Sequence, residues 1–515
     1  MASQQVEDRI RILKDHFENG RYSKAEYFLH VLANEKLSPA QRVTCAEIAR
    51  RSGFQTFALK LLQKRIYPSV RRRTNQAGAT PLEYAEYAAS LAILGGHNEA
   101  KKIFSGIDGT QFPQIRFHQA VAALGIWDYE TARTALESFL RSKPTGEDKV
   151  AADLRLAMVD MRHTNKNPER AIELLKPYLP GNASTNISRP NQMYAAQMEV
   201  EHTYLFKKDT LLTLKKAEAL EAVAPDHNSA GLVLWITLLS IYHGKNTQTQ
   251  KDRLQIELKK SLTENNWYSI RLFDLYESFI LKSESALLRF LFGTPFEGMR
   301  RVALERFSEE KPGFALPETF DWSPNPEFSQ GKAAKFPVFD VTLGTCEGSR
   351  GMLKPDDLPL KLLRTLVSDF YAPVSEFELH EKLYPGEHHR GLPSTHRIHR
   401  LLQRLRDWLK ENRIAIEVET IKRTYRVSPE SKIRFRTLNP SQSPDSVATV
   451  SPAIRHAEAI LRKAFKAGDY FSSPQIMKIL DVSLRTSIYR LNELTQLGIL
   501  VVEGSGRARR YRFTK

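Results

Sequence analysis

Cysteine is almost missing from this chain. Cys45 and Cys346 are the two among 515 residues, separated by most of the sequence. They form no CxxC pair and no disulfide framework, so apolar burial has to hold the fold, and a reducing cytoplasm is the expected setting. Long hydrophobic runs are also lacking. The longest, LVLWITLLSIY from Leu232, has eleven residues, against the roughly 20 that a bilayer-spanning helix needs. It reads as a buried core helix, and no membrane partner is expected. The opening MASQQVEDRIRILKDHFENG is charged and amphipathic, unlike a secretion signal. Catalytic signatures are missing as well: there is no GxxxxGK[ST] loop, no GxGxxG after a strand, no HExxH and no GxSxG,. The densest titratable cluster is His388, His389, His396 and His399. No cysteine or acidic ligand stands in a fixed place beside it, so exposure or backbone contact is the expected role. The expectation is a chain that is not an enzyme and carries no metal or cofactor.

What the chain does have is positive charge. The formal net charge is +17, and it is unevenly spread. Residues 1–331 carry 44 Lys and Arg against 39 Asp and Glu, whereas residues 332–515 carry 32 against 20. A polyanion-binding tendency is thereby localised to the C-terminal third.

Residues 1–305 show helical periodicity throughout. A phrase recurs: a Gly or Asn turn, often an aromatic, then an alanine and a Leu/Phe-rich face. It stands as NGRYSKAEYFL (Ala25), SGFQTFALKLL (Ala58), GGHNEAKKIF (Ala100), IWDYETARTALESFL (Ala132) and NKNPERAIELL (Ala171), at intervals of 33, 42, 32 and 39 residues. A small residue there lets antiparallel helices approach closely, and the turn between them needs Gly, Asn or Asp. The pattern resembles tetratricopeptide repeats, with irregular spacing and without most of the Trp and Pro positions of that family. It implies an α-solenoid whose surface takes a protein or peptide partner; a non-repetitive helical bundle is the plainer alternative.

Residues 306–336 form a Pro-rich stretch that reads as a linker. Residues 337–438 then run strand, helix (PLKLLRTLVSDF), helix (VSEFELHEKLY), loop, long helix (STHRIHRLLQRLRDWLKEN) and hairpin (IEVETIKRTYRV). Ser375 and Glu378 have the spacing of a capping box. At 100° per residue Ile398, Leu402, Leu405 and Leu409 make one stripe of the long helix, flanked by Leu401 and Trp408. Opposite lie His396, Arg400 and Gln403, with His399, Arg404 and Arg406 as further candidates. Arg and Gln suit bidentate contacts with guanine and adenine edges, and all of these reach phosphate. Lys422 and Arg423 sit at the hairpin tip. The LLQRLRDWL and IEVETIKRTYRV segments resemble the DNA-binding domain of the OmpR/PhoB family of bacterial response regulators. Thr424 stands where that family has Gly before Tyr. No receiver domain is evident upstream, so phosphorelay control does not carry over.

Residues 439–452 are a Ser/Pro-rich second linker, and residues 453–515 a last domain. Ser473-Pro474 opens one helix and Ser483 a second, whose Leu484, Ile488 and Leu491 are expected on the core face with Arg485, Thr486 and Tyr489 turned outward. Gly504-Ser505-Gly506 allows a tight reversal, and the returning strand brings Arg507, Arg509 and Arg510. SPQIMKILDVSLRTSIYRLNELTQLGILVVEGSGRARRYRF resembles the small winged helices of bacterial repressors, which makes Arg490 a further contact candidate.

The fold class expected is therefore mainly α: an N-terminal α-solenoid followed by two α+β winged-helix domains. The function expected is a cytoplasmic bacterial transcriptional regulator. Double-stranded DNA is its ligand at the C-terminal end, and a protein or peptide partner sits on the helical repeats. The rivals are an interaction scaffold whose winged helices dock proteins, or a protein that organises DNA without sequence preference. The oligomeric state, operator and effector are not readable.

Overall fold

The computed structural model describes residues 2–18, 21–67, 78–162, 167–182, 187–223, 230–263, 266–324, 335–354, 357–389, 391–421, 423–439, 452–466, 468–496, 499–503 and 509–514. They divide into two units. The first holds Met1–Leu287, Phe296–Pro312 and His380–His389; the second holds Leu288–Pro295, Gly313–Leu379 and Arg390–Lys515.

The chain begins with α1 (Ala2–Glu18), α2 (Tyr22–Leu32), α3 (Pro39–Arg51), α4 (Gln55–Ile66), α5 (Pro81–Ile93) and α6 (His97–Ser105). It continues through α7 (Pro113–Gly125), α8 (Tyr129–Arg141), α9 (Gly146–Arg162), α10 (Pro168–Leu175), α11 (Arg189–His202) and α12 (Thr210–Val223). α13 (Ala230–Tyr242), α14 (Thr247–Thr263), α15 (Trp267–Ile280), α16 (Glu284–Gly293) and α17 (Glu297–Glu310) complete the series. Side chains make the ends: Ser38 and Gln41 form a capping box before α3, Thr80 and Glu83 one before α5, and Asp128 caps α8. Each cap satisfies an N–H that the helix leaves open.

Consecutive helices pack as pairs, α1 on α2, α3 on α4, α5 on α6, α7 on α8 and α9 on α10. Odd-numbered helices also meet one another, α3 with α5, α5 with α7, α9 with α11 and α13 with α15. A row of helical hairpins produces this double adjacency. Ala25, Ala58, Ala100, Ala132 and Ala171 all lie buried, one on each even helix from α2 to α10, and Ala217 repeats the position on α12. Gly53 and Gly95 make the α3–α4 and α5–α6 turns at φ +87° and +89°, where a side chain is strained,. α13 is buried along nearly its whole length, as its apolar run requires.

Ion pairs stitch the odd helices together. Arg42 and Arg50 of α3 reach Glu83 and Glu86 of α5 at 2.7 and 2.5 Å, and Arg162 of α9 reaches Glu201 of α11 at 2.7 Å. All three carboxylates are buried, so removing one partner strands a charge out of water, which costs roughly 3–5 kcal/mol.

Among the described residues the second unit carries three small sheets. β1 (Thr319–Trp322), β7 (Arg434–Leu438), β2 (Val338–Asp340) and β3 (Thr345–Cys346) hydrogen-bond in that order, parallel between β7 and β2 and antiparallel elsewhere. α18 (Leu358–Leu366) follows, then β4 (Val374–Ser375), α19 (Glu376–Leu383), α20 (Leu392–Glu411), β5 (Val418–Ile421) and β6 (Thr424–Val427). β4 adds to the β5–β6 hairpin on the β6 side. α21 (Pro452–Ala464), α22 (Ser473–Ile479), α23 (Leu484–Gln496) and the hairpin β8 (Leu500–Glu503) with β9 (Arg510–Phe513) close the chain.

Two findings revise the reading of the sequence. The 306–336 stretch is not all linker. α17 runs into it as far as Glu310, and β1 within it pairs with β7 from Thr319 opposite Leu438 to Trp322 opposite Phe435. Aromatic packing explains the strand: the Trp322 ring stacks on Phe370 at 3.7 Å. Residues 325–334 and most of the 439–452 linker lie outside the described residues. The second revision is at α22, where Ser472 rather than Ser473 is the cap and Gln475 Oε1 accepts the Ser472 N–H at 2.8 Å.

Candidate nucleic-acid and partner surfaces

α20 is amphipathic along its full length. Ile398, Leu401, Leu402, Leu405 and Leu409 are buried, with Trp408 half-buried beside them. α18 packs on this helix. With that face committed, His396, His399, Arg400, Gln403 and Arg404 are exposed. Among the described residues His396, Arg400 and Arg404 have no hydrogen bond or ion pair. Gln403 donates to Asp407 at 2.7 Å.

Two of the candidates on this helix are anchored to the hairpin. Nε2 of His399 lies 3.0 Å from the Tyr425 hydroxyl. Arg406 turns back, donating to the Val418 carbonyl at 2.8 Å and to the Thr420 hydroxyl at 3.3 Å. Arg406 is thus a strut between helix and hairpin, correcting its assignment as an outward contact. The reason is its angle: it adjoins the buried Leu405 and falls beside β5, not opposite the stripe.

The hairpin tip is pinned too. Arg423 adopts φ +68° and sits 3.6 Å from Glu376, whose carboxylate is buried at the start of α19. The Glu376 N–H donates to the Arg423 carbonyl at 3.2 Å. The left-handed residue of the turn is therefore Arg423, and Thr424 enters the strand ladder normally. Lys422 lies outside the described residues.

α23 differs from its sequence reading. Leu484, Ile488 and Tyr489 are 45%, 37% and 57% exposed, while Ser487, Leu491 and Leu494 are buried. Arg490 is only 7% exposed, so it is not a surface contact. The helix is rotated because Ser487 faces the core. Its hydroxyl donates to the Leu484 carbonyl at 2.9 Å and to Ser473 of α22 at 3.3 Å. A small self-satisfied side chain lets α22 and α23 pack closely, and that turns Leu484 and Ile488 to water. Ser483 caps α23 as expected, accepting the Thr486 N–H at 3.1 Å, and Thr486 is half-buried beside it. Arg509 and Arg510 are exposed on the returning segment. The Arg485 side chain and all of Arg507 lie outside the described residues.

His388 and His389 belong to the segment counted with the first unit, His396 and His399 to the second. No group of three or more metal-binding side chains occurs among the described residues, and no helix among them is long and apolar enough to cross a membrane.

Within the first unit, a recess of about 330 Å³ opens between α11, α13, α14 and α15. Tyr194, Gln197, Lys260, Asn266, Tyr268 and Leu272 are among its walls. No sequence motif marked it, because its lining comes from four helices spread over some eighty residues.

No protein-family model matches the chain, and no curated protein matches it. Three solved chains align, among them the following two. One is a Rap protein complexed with competence and sporulation factor, at 12% identity and a TM-score of 0.40, covering 60% of this chain and 93% of that one. The other is the TPR domain of P58(IPK), at 14% identity and a TM-score of 0.20, covering 79% and 99%. The helical hairpins of the first unit stand on their own packing, independently of either likeness.

Proposed function

We propose that the chain couples a partner-binding helical-hairpin unit to a DNA-binding module built as a winged helix on α18, α19, α20 and the β5–β6 hairpin. The carrying observation is the outward row of His396, Arg400, Gln403 and Arg404 on α20. Its two guanidiniums have no acidic partner among the described residues. A 20-residue helix whose opposite face is buried, held rigidly beside a hairpin by Arg406 and by the His399–Tyr425 contact, suits a major groove. The Arg side chains neutralise phosphate and supply salt-dependent affinity, and Arg400 and Gln403 face bases.

For the C-terminal module the second reading is better supported. Its α23 offers Leu484, Ile488 and Tyr489 outward, a surface suited to docking a protein. We infer that its basic strand, through Arg509 and Arg510, adds only backbone contact to DNA.

The test is anisotropy of a fluorescent 30-base-pair duplex across a salt series. Binding that weakens steeply with salt is expected. Arg400→Gln with Arg404→Gln should flatten the log–log slope by about 0.9 for each phosphate that is no longer neutralised. No duplex binding at low salt would leave the scaffold reading in its place.

A further inference from the structure

One wall of the recess between α11 and α15, Tyr194, reaches α9 beside a cation that has no acidic partner among the described residues. Arg155 projects from α9, half-buried, with its guanidinium over the Phe117 ring at 5.2 Å. Its one hydrogen bond among the described residues goes from Nη1 to the Ala151 carbonyl of its own helix, at 2.9 Å. No Asp or Glu pairs with it there. Other arginines of this unit are answered by carboxylates. Arg42, Arg50, Arg133 and Arg162 each reach a buried carboxylate within 2.8 Å.

The Tyr194 hydroxyl lies 3.3 Å from the sulfur of Met158, one turn along α9 from Arg155, and Tyr194 lines the recess. Another wall residue, Tyr268, takes a hydrogen bond from Arg162 Nη1 at 3.0 Å. Glu201 answers Arg162 with both of its oxygens. Arg306 of α17 lies in the same neighbourhood, over the Phe279 ring at 5.4 Å. It makes no hydrogen bond or ion pair among the described residues, but the carboxylates of Glu201 and Glu309 act on its charge, so it is not left uncompensated. Lys260 at the rim has Glu257 at 4.0 Å, too loose for a committed pair,. Burial with an unpaired guanidinium is costly unless an anion is supplied.

We propose that this recess and the strip running past Tyr194 bind an acidic peptide segment, with Arg155 clamping an Asp or Glu side-chain carboxylate. Lys260 holds a second carboxylate at the rim, and Gln197 and Asn266 face the peptide backbone. A planar guanidinium over an aromatic ring is preset for bidentate carboxylate contact. Cations on α9 and α14 match carboxylates spaced along a segment better than the single carboxylate of a chain end. This inference rests on the reading of the helical unit as the partner-binding part.

The experiment uses the full chain and fluorescein-labelled octaglutamate, acetylated and amidated so that its ends carry no charge, with octaglutamine as the control. Octaglutamate should bind at least about tenfold more tightly than octaglutamine. Arg155→Gln should weaken octaglutamate by about tenfold, Arg155→Lys should restore only part of that because an ammonium cannot make the bidentate contact, and Arg400→Gln with Arg404→Gln should change nothing. Should Arg155→Gln lower the melting temperature, Tyr194→Phe with Lys260→Gln gives the readout instead, with a loss of about threefold or more expected. Wild-type binding by Arg155→Gln, or loss of binding through the α20 pair alone, overturns the proposal. Random displayed peptides separate the two levels. Peptides that bind the helical unit without acidic residues and ignore Arg155→Gln refute the acidic clamp but keep partner binding. No peptide bound there, octaglutamate included, refutes both.

Discussion

His118 shows how much a single buried residue weighs in the helical unit. Burial and the neighbouring Arg50 charge hold its imidazole down at about 4, although Glu86 is 3.6 Å away. Glu86 is already committed to Arg50, so it offers little to a second cation. The folded chain thus refuses a proton that the unfolded chain accepts near pH 6.5. Stability is full above that pH and drains away as pH falls toward 4, by at most about 3 kcal/mol. Urea midpoints at pH 7 and pH 4.5 should differ less in His118→Gln than in wild type; equal differences would refute this account. The two thiols are quiet for a related reason. Burial lifts Cys45 to about 12 and Cys346 to about 11, leaving almost no thiolate at pH 8. Ellman's reagent should therefore find no fast thiol in the native protein and two after denaturation.

Among the elements, legibility followed periodicity. The alanine phrase located five even-numbered helices, and the apolar spacing of α20 found its buried stripe residue by residue, because both are set by local geometry. α23 escaped the same logic. Its core face is built on Ser487, a residue whose polarity reads as outward and whose hydroxyl is satisfied within the fold. β1 escaped because a strand inside a Pro-rich stretch is recognisable only by its partner, and β7 lies more than a hundred residues away. The Arg155 recess escaped for the same kind of reason, since no local spacing records which arginine lacks a carboxylate. The alanine positions yield a direct test. Ala132→Leu forces added carbons between helices already in contact and should cost about 1–3 kcal/mol, read as a lower melting temperature. An unchanged melting temperature would mean the helices there are not closely apposed.

For the whole molecule, each of the two units has its own apolar interior, so calorimetry should resolve the Ala132→Leu loss in one transition and leave the other in place. Under the proposed DNA reading, the excess positive charge, concentrated after residue 331, would act on encounter with the duplex and not on the fold. On that reading the β5–β6 tip would govern how such an encounter ends. It is tethered by its own arginine to the start of α19, in a backbone twist where glycine would sit more easily. A finger fixed in advance has little freedom left to surrender on docking, so cutting that tether should shorten the lifetime of a complex far more than it slows its formation.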